Sequence, residues 1–120
     1  MASILIVEDD APVRALLRDI LEEDGHHIRE AENGHIGLTL YRDSPADLVI
    51  TDILMPERDG MEVTLALTQE FLDARVIAMT GATGDQNFLN VAKLFGARRV
   101  IQKPFTVEDI RRVVRFTLDH

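Results

Sequence analysis

Apolar positions along the chain follow two alternating patterns. Four short runs rich in branched apolar residues, at 4–7, 47–51, 74–79 and 99–101, have the length of buried strands, and residues 27–32 form a weaker run typical of an edge strand. Longer segments with apolar residues every three or four positions follow these runs, as in amphipathic helices. Five strands alternating with five helices predict a doubly wound α/β fold, in which right-handed crossovers place helices on both faces of a parallel sheet.

Helix boundaries are marked by residues that cap or start helices. Asp10 is suited to the N-cap of the first helix, with Pro12 in its first turn, and Asn33 starts the second helix. The segment 106–109 resembles a capping box that opens the last helix, and a fourth helix is expected over 85–95. The apolar residues predicted for the first two helices are Val13, Leu16, Leu17, Ile20 and Leu21, then Ile36, Leu38, Leu40 and Tyr41.

Polar residues end or directly follow several of these strands. They are Glu8, Asp9, Asp52, Thr80 and Lys103. Because the carboxyl ends of the strands in an open α/β sheet share one edge, side chains far apart in sequence meet there. We therefore expect these residues to form a single crevice.

The acidic members of this set predict a cation site. Glu8, Asp9 and Asp52 would repel one another in a partly desolvated crevice, so they should hold a proton or bind a cation. Magnesium is suited to the site because it takes one or two carboxylates together with waters and phosphoryl oxygens. Lys103 and Thr80 offer the charge and the hydroxyl that a tetrahedral anion requires. Asp52 ends the most apolar central strand and is the expected nucleophile, since carboxylates form aspartyl phosphates.

Composition narrows the setting of this site. The chain has 120 residues, 46% of them hydrophobic, and a formal net charge of -8. We expect one domain over residues 1–120. The negative charge disfavours direct binding to nucleic acid or to anionic membranes. There is no cysteine, and the first residues reach Glu8 too soon for a signal peptide or a membrane span, so we expect a cytoplasmic protein.

Several motifs, taken in order, resemble those of response-regulator receiver domains over essentially the whole chain. The motifs are Glu8-Asp9, Asp52-Ile53-Leu54-Met55-Pro56, Asp59-Gly60, Thr80-Gly81 and Lys103-Pro104-Phe105. The resemblance implies a flavodoxin-like sheet of five parallel strands in the order 2-1-3-4-5, with five helices on two faces. It also implies two-component phosphorelay signalling by a domain that is not an enzyme, since it catalyses only its own phosphorylation and slow dephosphorylation.

The resemblance also implies a role for each site residue. Asp52 would be the phosphoacceptor, assisted by Thr80 and Lys103, and a cis peptide bond would join Lys103 to Pro104. The phosphoryl donor would be a sensor histidine kinase or a histidine phosphotransfer protein, and a phosphorylation-dependent homodimer is a further candidate partner. The implied ligands of Mg²⁺ are Asp9 directly, Glu8 largely through water, Asp52, and Leu54 through its backbone carbonyl.

Three positions depart from the pattern of that family. Val100 stands three residues before Lys103, where an aromatic ring often moves inward on phosphorylation. Leu54 and Ala82 stand two residues after Asp52 and Thr80, and neither side chain can hydrogen-bond to an attacking water. We therefore expect slow loss of the phosphoryl group. The ring that moves in that family is replaced by an aliphatic side chain at Val100.

Three other functions fit parts of the sequence. A haloacid-dehalogenase-like Mg²⁺-dependent phosphatase uses a similar set of residues but needs a second Asp where Leu54 stands. A flavodoxin-like mononucleotide binder needs a phosphate loop where the acidic segment 8–10 follows the first strand. A receiver-like module without phosphorylation is disfavoured by the intact acidic set.

The four histidines lack the spacing of a metal site. An arginine-rich face near the end of the chain is expected to be solvated and paired with Glu108, Asp109 and Asp119 rather than to bind nucleic acid. Its arginines are Arg98, Arg99, Arg111, Arg112 and Arg115.

Overall fold

The structure, a computed structural model, describes residues 1–52, 60–71, 73–80 and 96–119. The helix predicted over 85–95 lies outside these ranges, so the described residues contain four of the five predicted helices. The elements in chain order are β1 (Ser3–Val7), α1 (Ala11–Glu23), β2 (His27–Ala31), α2 (Gly34–Asp43), β3 (Leu48–Asp52), α3 (Gly60–Glu70), β4 (Val76–Thr80), β5 (Arg99–Gln102) and α4 (Val107–Asp119).

The five strands form one parallel sheet in the order β2-β1-β3-β4-β5. This order confirms the prediction, including the edge position of β2. The register pairs Val7 with Thr51 and Thr80 with Gln102. The carboxyl ends of the inner strands therefore reach the same edge of the sheet, which is the edge where the polar crevice was expected.

Two apolar cores cover the two faces of the sheet. Successive strand residues point to opposite faces, so Ile4 and Ile6 pack in one core together with residues of α1 and α4. Leu5 and Val7 pack in the other core, with residues of α2 and α3. The central strands β3 and β4 are buried along their whole length. Burial on both faces explains why these strands appear in the sequence as continuous apolar runs.

The predicted starts of α1, α2 and α4 are confirmed. Asp10 and Asn33 are N-caps whose side-chain oxygens accept backbone N–H groups of the first turn at 3.3 and 2.9 Å. Thr106 and Asp109 form the predicted capping box, with reciprocal hydrogen bonds of 2.9 and 3.0 Å. Gly25 follows α1 with a φ of 90°, a conformation that glycine adopts without strain. Within the described ranges, no helix combines the length and apolar composition needed to cross a bilayer.

Two of the apolar helix residues are exposed to solvent. Leu16 is 48% exposed and Ile36 is 38% exposed. Leu16 lies about 100° around α1 from the buried Leu17, at the margin of the stripe that faces the sheet. Ile36 lies about 200° around α2 from the buried Leu38, on the opposite side of that helix. An apolar residue in a helix is buried only when its side of the helix meets the sheet.

Candidate functional site

The structure brings the predicted site residues together at the carboxyl edge of the sheet. Glu8 follows β1, Asp52 ends β3, Thr80 ends β4 and Lys103 follows β5. Asp9 continues the turn after Glu8. The parallel order of the strands therefore places residues from the first and last parts of the chain in one crevice.

The three carboxylates form a compact acidic cluster. One carboxylate oxygen from each of Glu8, Asp9 and Asp52 can be chosen so that all three lie within 4.8 Å of one another. Glu8 is 0% exposed and Asp52 is 8% exposed, whereas Asp9 is exposed to solvent. The cluster therefore has a buried part and an open side from which a ligand can approach.

Lys103 joins two of these carboxylates. Its Nζ lies 2.8 Å from Asp52 Oδ2 and 3.2 Å from Glu8 Oε2. Burial lowers the pKa of Lys103, but the hydrogen bond to Asp52 and the charges of both acids outweigh this effect, so the pKa is raised overall. Lys103 therefore stays protonated and supplies a fixed positive charge to the crevice.

The buried Glu8 carboxyl has a pKa well above the ordinary value for a glutamate. Burial raises the pKa of Glu8, and the charge of Asp52 raises it further, to about 7. Lys103 and the backbone N–H of Asp10 act in the opposite direction; that N–H donates to Glu8 Oε1 at 3.2 Å. Near neutral pH, Glu8 is therefore divided between its protonated and ionised forms, and a cation would favour the ionised form.

The hydroxyl of Thr80 is buried at the end of β4. The residue is 1% exposed, and its Oγ1 makes no hydrogen bond within the part of the chain that the structure describes. Its backbone carbonyl accepts the N–H of Lys103 at 2.7 Å, which links the ends of β4 and β5. Because buried polar groups in folded proteins are nearly always hydrogen-bonded, this hydroxyl is suited to a ligand that the crevice binds.

Arg14 holds the turn between Glu8 and Asp9, and the sequence analysis did not identify it. Its Nη1 donates to the backbone carbonyl of Glu8 at 2.7 Å, and its Nε donates to Glu30 Oε1 at 3.3 Å. The N–H of Glu8 in turn donates to the carbonyl of Ala31 at 3.0 Å. The sequence feature that could have identified Arg14 is its position in the first turns of the helix that follows the acidic pair.

Some predicted features of the site lie outside the described residues. These include the backbone carbonyl of Leu54, the Asp59-Gly60 turn as a whole, Gly81 and Ala82. The cis peptide bond between Lys103 and Pro104 is present, as the resemblance implied.

The arginine-rich face is organised differently from the prediction. Arg111 pairs with Glu23, the last residue of α1, and with Asp24, the residue after it, at 3.3 and 3.0 Å, whereas Arg112 pairs with Asp109, as expected, at 2.9 Å. Helix α4 packs beside α1, so acids of α1 are nearer to Arg111 than its predicted partners are.

The residues present fit a hard divalent cation. The cluster offers carboxylate oxygens, which Mg²⁺ prefers, and one side of it is open for waters and phosphoryl oxygens. Burial and the charge of Asp52 raise the pKa of Glu8 even with Lys103 in place, and a bound cation would favour the ionised carboxylate. Glu8, Asp9 and Asp52 are therefore the described residues that could hold Mg²⁺.

Comparisons with known proteins agree with this geometry. A family model described as "Response regulator receiver domain" matches residues 4–115. The chain is similar to the chemotaxis protein CheY of Bacillus subtilis, with 38% identity over 117 residues that span 97% of each chain. It is also similar to sporulation initiation phosphotransferase F of Bacillus subtilis, with 33% identity over 93% of this chain and 90% of that protein.

Solved structures share the fold. The receiver domain of NtrX from Brucella abortus has a TM-score of 0.92 and 27% identity, covering 97% of this chain and 98% of that one. In the crystal structure of NtrX from Brucella abortus in complex with ATP, the match covers 98% of this chain but 27% of the longer one. The similarity is therefore to the receiver part of that regulator.

Proposed function

Since the chain belongs to the response regulator receiver domain family and is a receiver of two-component signalling, we propose that Asp52 is its phosphoacceptor. The observation that carries this assignment is the contact of Lys103 Nζ with Asp52 Oδ2 at 2.8 Å, inside the acidic cluster at the carboxyl edge of the sheet. Among the three clustered acids, Asp52 alone ends a fully buried central strand, which fixes its backbone.

The reaction is a direct transfer between donor and acceptor. A carboxylate oxygen of Asp52 forms a bond to phosphorus while the bond from phosphorus to the imidazole nitrogen of a phosphohistidine breaks, and the electron pair of that bond leaves with the imidazole. Lys103 offsets the negative charge where the carboxylate and the phosphoryl group meet. The domain acts once on itself and so is a signalling component rather than an enzyme with turnover.

Magnesium is the proposed cofactor, held by Glu8, Asp9, Asp52 and the backbone carbonyl of Leu54. A bound Mg²⁺ would supply positive charge to the carboxylates and to the phosphoryl oxygens. The buried Glu8 and the exposed Asp9 support this role because each has a carboxylate oxygen within 4.8 Å of an oxygen of Asp52.

The phosphorylated state would be read through Thr80 and Lys103. The Thr80 hydroxyl has no hydrogen-bond partner among the residues that the structure describes and can donate to a phosphoryl oxygen. Lys103 can exchange its contact with Asp52 for one with the phosphoryl group. Both residues lie at the ends of strands next to α4. Their movement would shift the populations of two conformations of the surface formed by these strand ends and α4, and would change the affinity of that surface for partners.

The proposed phosphoryl donor is a sensor histidine kinase or a histidine phosphotransfer protein. A phosphorylation-dependent homodimer, the absence of direct contact with nucleic acid or membrane, and a cytoplasmic location stay predictions from the sequence. The haloacid-dehalogenase-like phosphatase is the weaker alternative, since the family match and the relatives named above all favour the receiver.

Phosphorylation by a small-molecule donor tests the proposal. The protein is treated with acetyl phosphate or phosphoramidate, and intact-mass spectrometry detects the added phosphoryl group. We expect labelling with Mg²⁺ or Mn²⁺, none in excess chelator and none in Asp52→Asn. Asp47→Asn is the matched control, because Asp47 lies at the opposite end of β3, where it accepts the N–H of Ser3 at 2.8 Å. Undiminished labelling of Asp52→Asn would overturn the assignment.

A further inference from the structure

Arg14 connects the acidic turn to the neighbouring edge strand. This residue of α1 donates to the carbonyl of Glu8 at 2.7 Å and to the carboxylate of Glu30 on β2 at 3.3 Å. Its side chain is 19% exposed, so both contacts are partly shielded from solvent. The planar guanidinium reaches both acceptors because its donors point in fixed, different directions.

Glu30 is itself held in place. Its second carboxylate oxygen accepts Nη1 of Arg18 at 3.2 Å. Glu30 therefore lies between two arginines of α1, and its position on β2 is fixed by the pairing of that strand with β1. Arg14 thus has a firm anchor on the side away from the acidic cluster.

The peptide group between Glu8 and Asp9 joins two of the residues whose carboxylates are proposed to bind the cation. Arg14 holds the carbonyl of Glu8, which belongs to this peptide group. The N–H of Glu8, in the preceding peptide group, donates to the carbonyl of Ala31 at 3.0 Å. Glu8 is therefore held through the peptide groups on both of its sides, which limits rotation about its own backbone bonds. The orientation of the planar Glu8–Asp9 peptide in turn sets the direction in which the exposed Asp9 side chain leaves the backbone. Without Arg14, the loop would have to be ordered when the cation binds, at a cost in conformational entropy.

We propose that Arg14, anchored by Glu30, is a positioning residue that pre-orients the Glu8–Asp9 turn for divalent cations. The inference rests on the proposed function, because it takes Glu8 and Asp9 as ligands. Arg14 itself does not touch the carboxylates of the cluster among its described contacts. It acts through the backbone, as outer residues of metal sites orient the groups that bind the ion.

A role of Arg14 through its charge and a role in positioning the turn predict opposite changes in cation affinity when Arg14 is replaced. Arg14 carries a positive charge near a cation site, so its removal would strengthen cation binding if charge alone mattered. If Arg14 orients the turn, its removal weakens binding. Arg14→Met removes both charge and donors while keeping a long side chain. Arg14→Lys keeps the charge but loses the planar fork that joins Glu8 to Glu30.

Binding of Mn²⁺, a substitute for Mg²⁺, gives the readout. Free Mn²⁺ is measured by electron paramagnetic resonance during titration of the wild type and both variants, under conditions where urea unfolding in chelator shows each to be folded. We expect the dissociation constant to rise about 10-fold in Arg14→Met and by less in Arg14→Lys. The rate of labelling by acetyl phosphate should fall at limiting Mn²⁺ and return to the wild-type rate at saturating Mn²⁺.

Arg42 provides a matched control. It forms an arginine–glutamate pair of the same kind with Glu70, at 2.9 Å, far from the acidic cluster in the fold. Arg42→Met should leave Mn²⁺ affinity unchanged. Glu30→Gln should weaken binding in the wild type, but it should add little in the Arg14→Met background, because Glu30 acts through Arg14.

The outcomes separate this inference from the proposed function. A wild type that binds no Mn²⁺ would overturn the cation site, and the role of Arg14 with it. A wild type that binds Mn²⁺ while both Arg14 variants bind as tightly or more tightly would overturn the positioning role alone. Equal weakening in Arg42→Met would also overturn it, since the effect would then belong to any lost ion pair.

Discussion

The ammonium nitrogen of Lys103 lies 2.8 Å from Oδ2 of Asp52, although the two residues are 51 positions apart in the chain. The same nitrogen contacts Glu8, so one cation partly neutralises two buried carboxylates. This arrangement stabilises the crevice before phosphorylation. It also places a positive charge where the incoming phosphoryl oxygens would lie.

Replacement of Lys103 by Met should slow phosphorylation of Asp52. The variant lacks the positive charge that offsets the repulsion between the Asp52 carboxylate and the phosphoryl group. We therefore expect the initial labelling rate with acetyl phosphate to fall on the order of 100-fold. Intact-mass time courses at saturating Mg²⁺ measure it. Arg42→Met is the control for general loss of positive charge, and an unchanged rate in Lys103→Met would contradict the role of this lysine.

Thr80→Val should weaken the stabilisation by a phosphate mimic without destabilising the free protein. The Thr80 hydroxyl has no partner among the described residues, so its removal should leave the free energy of unfolding unchanged or raise it by roughly 1 kcal/mol. The stabilisation that beryllofluoride, a phosphate mimic, provides with Mg²⁺ should instead fall by about 2 kcal/mol. Urea unfolding with and without beryllofluoride gives both quantities.

A second buried threonine serves as the control for Thr80. Thr117 is 2% exposed, and its hydroxyl donates to the carbonyl of Val113 at 2.7 Å. Thr117→Val should lower the free energy of unfolding by roughly 1 kcal/mol without changing the gain from beryllofluoride. If Thr80→Val behaves like Thr117→Val, the Thr80 hydroxyl is not reserved for the phosphoryl group.

The stability of the cation-free protein should depend on the ionisation of Glu8. Folding raises the pKa of this carboxyl from 4.5 to about 7, so the folded state binds the proton more tightly. The resulting stabilisation is fully present below about pH 4.5 and is lost as the pH rises through about 7. Its upper bound is roughly 3 kcal/mol.

The comparison with Glu8→Gln isolates this contribution. The variant keeps a neutral side chain at all pH values, so the difference in free energy of unfolding between it and the wild type should change between pH 4.5 and 7. Urea unfolding in chelator measures the difference. Saturating Mg²⁺ should reduce the change, because the cation favours the ionised carboxylate. A difference that stays constant over this range would mean that the carboxyl has an ordinary pKa.

Gly37→Ala should destabilise the fold through a single close contact. A Cβ added at Gly37 of α2 would lie 2.8 Å from Cγ2 of the buried Val7. The helix or the strand would have to shift, and we expect a loss of about 1–3 kcal/mol in the free energy of unfolding. The double variant with Val7→Ala should lose less than the sum of the two single variants. Additive losses would show that the contact does not limit the packing.

The phosphorylated form should be long-lived for an acyl phosphate. This prediction comes from the sequence, since Leu54 and Ala82 lie outside the described residues. Neither side chain can align a water for attack on phosphorus, so Leu54→Asn and Ala82→Glu should each shorten the lifetime of the phosphoryl group. Decay followed by intact mass measures the three lifetimes, and equal rates would exclude control by these positions.

The sequence determined the elements and the edge at which the polar residues meet. Asp10 and Asn33 cap helices through hydrogen bonds to residues three positions away, so their roles depend only on local geometry. The buried strands are likewise visible as runs, because both faces of a central parallel strand meet apolar neighbours. The order of the strands came from the resemblance to a family and was confirmed by the pairing.

The tertiary structure decided which contacts those residues make. The exposure of Leu16, the pKa of Glu8 and the burial of the Thr80 hydroxyl depend on neighbours brought in by other segments. Arg14 could not be identified for the same reason, because Glu30 reaches it from β2 through strand pairing. Burial and electrostatic energy arise from contacts between distant parts of the chain, and these contacts exist only once the sheet and its helices have packed.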